Sequence, residues 1–261
     1  MVWHETKEVA VIVMLTKTAE AGRDKCFQYY PLNQESDSLQ ISTGKENDDT
    51  SDGSVRLLET SFDQASRSTV SKLLLTFGEE TKTVWHLLFS GWPDFNVPEG
   101  EDRAGLLELI KLSVAKNTEP DNPRIVHCSA GVGRSGTFIS LEYLLAELEA
   151  GSLAGVKDDD DIIYNTVSKL REQRMMMVQS VAQYHFLYQV LRDELKKAQS
   201  TARKNSEANE FEEKSTDDTE EPSPKMIKLT KGFKGATLGK PSWSRHRADH
   251  ESGEGKVPIA P

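Results

Sequence analysis

Residues 124–138 read "RIVHCSAGVGRSGTF", in which five small residues separate Cys128 from Arg134. The spacer Ser129, Ala130, Gly131, Val132 and Gly133 is short and glycine-rich. Such a loop can curl until successive backbone N–H groups point at one centre, and a helix that starts at its end adds a positive terminus. That cradle fits a phosphate. A thiol placed beside the same N–H groups is favoured as the thiolate, its nucleophilic form. Arginine's planar, permanently charged fork can grip two phosphate oxygens and stabilise charge in a transition state, which the point charge of lysine cannot do. Ser135 adds a hydroxyl near the sulfur, able to help the thiolate leave in a second step. The chemistry these residues can do is attack of Cys128 on phosphorus.

Two cofactor readings compete for the same glycines. Gly131, Gly133 and Gly136 fit G-x-G-x-x-G, and Asp158 follows at the dinucleotide-binding distance, which would make the chain a nucleotide-dependent oxidoreductase. That fold needs a second parallel strand before the acid, and the interval "GSLAGVKDDDD" has no β-branched run. Asp158 to Asp161 read instead as a solvated helix N-terminus, where carboxylates favour the helix dipole. A phosphate loop of the Gly-Lys-Ser/Thr type fails because that sequence does not occur.

With those readings set aside, "VHCSAGVGRSGTF" resembles the signature of the cysteine-dependent protein tyrosine phosphatases. The likeness runs in order through "VW", "KCFQYYP", "GWPDF", the signature, "REQRMMMVQS" and "QYHF", across residues 1–198. It implies an α/β fold, a highly twisted mixed sheet flanked by helices, and proteins containing phosphotyrosine as substrates and partners. The leaving tyrosine has a pKa near 10 and needs a general acid, a role that falls to Asp94, which then serves as base for water. Trp92 would anchor the moving loop that carries Asp94. Asn96 stands where the family often has a glycine, and asparagine tolerates the left-handed region. Gln179 matches the glutamine that orients the attacking water, with Gln183 as a second member of that site; both could instead cap and solvate a helix N-terminus. Residues 129 to 134 would bind the phosphate. Glu20 matches an acid that braces the arginine, and Lys25 a lysine near the Asp94 loop, although either fits a plain surface charge. His127 would tune the thiolate through hydrogen bonding. No metal and no organic cofactor is implied.

The family domain has a further N-terminal portion ahead of "VW", including a loop that sets pocket depth, so residues 1–198 are expected to be an N-terminally incomplete catalytic domain. An alternative follows: an inactive phosphotyrosine-binding regulatory protein.

Positioning these residues requires a set of elements that the pattern supplies. "VAVIVML" reads as a buried strand, Glu20 to Lys25 as a charged turn, and residues 32–54 as a loop or disordered insertion. "STVSKLLLTFGEETKTVWHLLF" reads as two strands of a hairpin joined at "GEE". A helix with Leu107, Ile110 and Val114 on one face stops by "DNP", before the short strand "RIVHC". Phe138, Leu141, Leu144, Leu145 and Leu148 predict a helix ended by Gly151. Ile163, Val167 and Leu170 mark another, and Tyr184, Leu187, Tyr188, Leu191 and Leu195 a last one ending near residue 199.

Over all 261 residues the hydrophobic content is 36% and the mean hydropathy −0.55, low for a chain buried around one core. Residues 199–261 are expected to be a disordered charged tail, able to make protein contacts. Residues 200–224 carry net −5 and residues 225–261 net +5, so the first 199 residues hold all of the net −10. That balance argues against nucleic-acid partners. It also means that any anion must be drawn in by local groups. Two cysteines, Cys26 and Cys128, cannot build a disulfide framework, and no run approaches the ~18 apolar residues of a membrane span. An intracellular, cytoplasmic setting is expected, and Cys26 is the one internal partner for an oxidised Cys128.

Overall fold

Six apolar residues in a row are buried without penalty only when both faces of a strand are covered, and "VAVIVM" forms such a strand, β1 (Val9–Met14). The computed structural model describes residues 1–33, 38–41, 53–93, 96–155 and 160–215. Before β1 comes a single helical turn, α1 (Val2–Glu5). After it come β2 (Ala19–Glu20), β3 (Arg23–Asp24), β4 (Ser38–Ile41), β5 (Gly53–Asp63), β6 (Ser68–Phe77) and β7 (Glu80–Phe89). The chain then alternates through α2 (Gly100–Lys116), β8 (Ile125–His127), α3 (Gly133–Glu149), α4 (Ile162–Gln173) and α5 (Val181–Ser215).

The main sheet has the order β4-β5-β6-β7-β1-β8. Its first four strands pair antiparallel, whereas β1 runs parallel to both β7 and β8. The mixed sheet is thus as expected. Because successive side chains on a strand point to opposite faces, Val11 and Val13, with Leu15 just beyond, enter one core with Leu106, Leu109, Phe138, Leu144 and Leu187 from the helices. Ala10, Ile12 and Met14 enter a second core with Tyr30, Leu57, Leu73, Leu75 and Val84. No described helix is long and apolar enough to cross a membrane.

Four expectations need correction. Within residues 32–54, Ser38–Ile41 forms an edge strand paired with β5, in register from Ser38 opposite Arg56 to Ile41 opposite Gly53. Its two apolar residues, Leu39 and Ile41, are too few to show a period in polar surroundings. β5 itself escaped notice because it is largely exposed and its pairing with β6 shifts between Leu57 and Glu59, which breaks the alternation. On α2 the buried positions are Gly105, Leu106, Leu109, Ile110 and Ser113, one face at helical spacing, whereas Leu107 and Val114 are only half-buried. Finally, α5 continues to Ser215, well past residue 199. Its later sequence, "AQSTARKNSEANEFEEKS", is rich in good helix formers yet has no apolar stripe, so propensity carries the helix where periodicity is silent. Residues 216–261, most of the expected tail, lie outside the described residues.

Candidate active site

Strands β1 and β8 are parallel neighbours, so both deliver their C-terminal ends to one edge of the sheet, the usual place for a site in such sheets. There the Leu15 amide donates to the His127 carbonyl, 2.9 Å. The chain then passes Cys128, turns at Gly131 with φ 70°, and enters α3 at Gly133. Val132, at the N-cap, makes no side-chain capping bond, and the positive end of α3 lies where the loop joins it. Cys128 and Arg134 are both buried, 7% and 5% exposed, while Ser129 and Ala130 lie open to solvent. Ser135 Oγ is buried and makes no hydrogen bond among the described residues.

Arg134 is held in one orientation from behind. Its Nη1 and Nη2 donate to Glu20 Oε1 and Oε2, each at 2.8 Å, and Nη1 also donates to the Leu15 carbonyl at 3.1 Å. Glu20, on the β2–β3 hairpin, accepts in addition from Thr16 Oγ1 at 3.0 Å and from the Lys17 amide at 3.2 Å. Burial pushes the Glu20 carboxyl up, but the Arg134 guanidinium, the Lys17 amide and the Thr16 hydroxyl together outweigh it and hold the pKa down at about 2. Glu20 is therefore an anion throughout the neutral range. Lys25 closes the same hairpin through its amide, which donates to the Thr18 carbonyl at 2.7 Å.

The glutamines reach the loop because α3 and the segment before α5 approach without a side chain between them. A Cβ on Gly136 would lie 2.6 Å from the Val178 amide nitrogen, closer than real contacts allow. The Val132 carbonyl accepts from both the Gly136 and Val178 amides, 3.0 and 3.1 Å. Met176 and Val178 take φ of 68° and 59°, a costly conformation for a β-branched residue. Arg171 holds it in place: Nε donates to the Met177 carbonyl at 2.9 Å and Nη2 to the Val178 carbonyl at 3.0 Å. The result sets Gln179 and Gln183 over Gly133, whose added Cβ would be 3.4 Å from Gln179 Oε1 and 3.1 Å from Gln183 Nε2 and Oε1. Gln179 is exposed. Gln183 also forms a capping box, its Oε1 accepting from the Ser180 amide (3.2 Å) while Ser180 Oγ accepts from the Gln183 amide (3.1 Å). Gln183 thus caps α5 while its amide lies beside Gly133.

Sequence reasoning missed Arg174, Tyr29 and His86. Arg174 Nη2 donates to the Ala130 carbonyl at 3.0 Å and so steadies the loop's outer rim. Its signal was present in "REQR", where Arg171 and Arg174 fall one helical turn apart. Tyr29 OH lies 2.7 Å from His127 Nε2 and 2.8 Å from His86 Nε2. His127 Nδ1 is 3.2 Å from the Cys128 carbonyl, which can only accept, so Nδ1 carries the proton. His127 Nε2 then accepts from Tyr29 OH, and Tyr29 accepts from His86 Nε2–H. His127 thereby acts on the main chain of the nucleophile. No local pattern links residues 29, 86 and 127; only the strand order brings them together.

Burial, reinforced by the neighbouring His127, lowers the His86 pKa to about 3, and burial lowers that of His127 as well. The unfolded chain takes up a proton on His86 near pH 6.5 while the folded one refuses it until about pH 3. Between those values the unfolded state binds more protons, so stability falls as pH falls, by up to about 1.4 kcal/mol per pH unit for this one group. Denaturant unfolding from pH 7 to pH 4 is expected to show that slope, and His86→Gln to make it shallower. An equal slope in the variant would contradict the assignment.

Trp92 is 2% exposed. Its Nε1 donates to the Asn96 carbonyl at 2.9 Å, and its ring meets that of Phe186 edge-on, 6.5 Å between centroids. Asp94 and Phe95 lie outside the described residues, as does Asp158. Asp161 is the N-cap of α4, accepting from the Tyr164 amide at 2.9 Å. Cys26 and Cys128 are both free, and they pack into different cores on opposite faces of the sheet, so Cys26 is not poised as an internal partner for Cys128.

A thiol at a strand end, a glycine loop, an arginine entering a helix and a carboxylate bracing it thus stand together at one edge of the sheet. Residues 1–193 match the protein-tyrosine phosphatase family, and the chain belongs to that family. It is 36% identical over 193 residues to tyrosine-protein phosphatase 2 of Schizosaccharomyces pombe, covering 73% of this chain and 25% of that protein. It is also 36% identical over 194 residues to human phosphatidylinositol phosphatase PTPRQ, covering 74% of this chain and 7% of that one. Among solved structures, the catalytic domain of human protein tyrosine phosphatase non-receptor type 18 superposes with a TM-score of 0.61 at 28% identity, covering 74% of this chain and 62% of that domain. The same phosphatase has been solved with HER2-pY1248 phosphopeptides (TM-score 0.59, 28% identity, 74% and 64% covered). The chain thus spans about a quarter of the length of the yeast relative and under two thirds of the solved domain. These relatives are named phosphatases, which gives no support to the inactive alternative.

Proposed function

We propose that this chain hydrolyses phosphotyrosine in proteins in two steps. The Cys128 thiolate attacks phosphorus, the bond from phosphorus to the phenolic oxygen breaks, and Asp94 delivers its proton to that oxygen. A water molecule, oriented by Gln179, then attacks the cysteinyl phosphate; Asp94 takes the water's proton, Ser135 donates a hydrogen bond to the departing sulfur, and inorganic phosphate leaves. Residues 129 to 133 offer backbone N–H groups to the equatorial oxygens, and Arg134 follows those oxygens as charge moves from the leaving group to the sulfur.

The observation that carries this reading is the Arg134 fork, fixed by both oxygens of Glu20 at 2.8 Å and buried at the end of the loop that begins with Cys128. A preorganised cation at that point has little use unless a dianion arrives. The phosphopeptide complex of the non-receptor type 18 relative supports phosphotyrosine as the substrate class.

The test is turnover of three substrates by the full chain: a phosphotyrosine peptide, the matching phosphoserine peptide, and a phosphoinositide. We expect the phosphotyrosine peptide to be preferred by a factor of roughly 10² or more in kcat/KM, because a phosphoserine is too short to reach the base of a pocket built for an aryl group. Equal turnover of phosphoserine, or preference for the phosphoinositide, would refute the substrate class while leaving the cysteine chemistry intact.

A further inference from the structure

Arg67 ends the turn between β5 and β6 with φ 51°, a conformation that costs an arginine energy and needs support from its surroundings. The turn is fixed locally: the Ser66 amide donates to Asp63 Oδ2 at 2.8 Å, and Ser68 Oγ donates to the Ser66 carbonyl at 3.0 Å. From that base the side chain crosses to the first turns of α2. Its stem lies on Gly105, where an added Cβ would come within 3.1 Å of Arg67 Cβ, Cγ and Cδ. Its Nε donates to Asp102 Oδ1 at 2.6 Å and its Nη1 to Glu101 Oε2 at 2.8 Å.

Asp102 in turn backs onto the main chain at Gly91, so closely that a methyl there would stand 2.6 Å from its Cγ and Oδ1. Gly91 directly precedes Trp92, and Asp102 follows Asn96 by six residues. One carboxylate therefore touches the chain before the Trp92–Asn96 turn and belongs to the helix after it. Arg67 prevents that carboxylate from swinging away. An exposed ion pair by itself contributes little. This one is half-buried, 37% and 34% exposed at the two side chains, and braces a main-chain contact.

We propose that Arg67 is a positioning residue for the phosphoryl-transfer step: by clamping Asp102 against Gly91 it ties the start of α2 to the chain just before Trp92. The proposal rests on the reading of Asp94 as proton donor. A donor displaced by a fraction of an ångström loses rate only where the leaving group needs its proton, so the signature of the clamp is dependence on the leaving group.

The experiment compares kcat/KM on phenyl phosphate, whose phenol leaves poorly, and on p-nitrophenyl phosphate, whose phenol leaves well. The enzymes are the full-length wild type, Arg67→Gln, Arg67→Lys, Gly91→Ala and Asp94→Asn, with circular dichroism to show that each is folded. Arg67→Gln is expected to lose about tenfold on phenyl phosphate and less than about twofold on p-nitrophenyl phosphate. Arg67→Lys, which can keep a single bond to Asp102, recovers most of the loss. Gly91→Ala pushes Asp102 off its guanidinium and gives the same pattern, and it adds nothing in the double variant with Arg67→Gln. Equal losses on both substrates, or none, would overturn the clamp while Asp94→Asn still shows strong leaving-group dependence. If Asp94→Asn itself loses equally on both, the proton-donor reading fails first and the clamp with it.

Discussion

Cys128→Ser is expected to fold like the wild type, to bind a phosphotyrosine peptide, and to lose turnover by roughly 10⁵-fold or more, the scale reached when a nucleophile working as one unit with its stabilising donors is removed. The reason is chemical: an alkoxide at this position would need a base to form, and the loop supplies N–H donors and a guanidinium but no such base. The side chain is nearly isosteric and buried at the start of the loop, so the cradle itself should survive. Retained peptide affinity with no turnover is the expected pair of results, read by isothermal titration and by phosphate release. Retained turnover would transfer the nucleophile's role to another residue.

Arg134→Lys is expected to cost about 10³-fold in kcat, near 4 kcal/mol of transition-state stabilisation, with a much smaller change in KM. Glu20 receives two parallel N–H groups from Arg134, and the Leu15 carbonyl receives a third bond, so the planar group is held in one orientation at the end of the loop. Lysine has one nitrogen. It cannot satisfy both Glu20 oxygens and also present two donors to a phosphate, so positive charge is kept while geometry is lost. Steady-state kinetics on a phosphotyrosine peptide checks this. A loss confined to KM would mean that Arg134 only gathers substrate.

The local half of this site was legible in the sequence because it is contiguous. Cys128 through Ser135 lie on one strand end, one loop and one helix start, and the glycines, the cysteine and the arginine each need their neighbours at fixed spacing. β1 was legible because a doubly covered strand must be apolar throughout. What escaped was set by distance along the chain. Tyr29, His86 and His127 meet only because β7, β1 and β8 lie side by side, and Arg67 reaches Asp102 only because the β5–β6 turn projects over α2. The assignment of α2's buried face failed for a different reason: Leu106, Leu107, Leu109, Ile110, Leu112 and Val114 allow more than one helical stripe, and the neighbours β7 and β1 decide which is buried. Polar segments expected to be irregular proved regular in two places, since Ser38–Ile41 is a strand and α5 runs on to Ser215.

The most direct measurement is rapid acid quench of the full chain during turnover of a ³²P-labelled phosphotyrosine peptide, followed by proteolysis and mapping of the label. A stoichiometric label on the peptide containing Cys128, carried on sulfur and absent from Cys128→Ser, is the result the two-step account predicts. Label on any other residue, or hydrolysis at full rate with no labelled protein at any quench time, would contradict it.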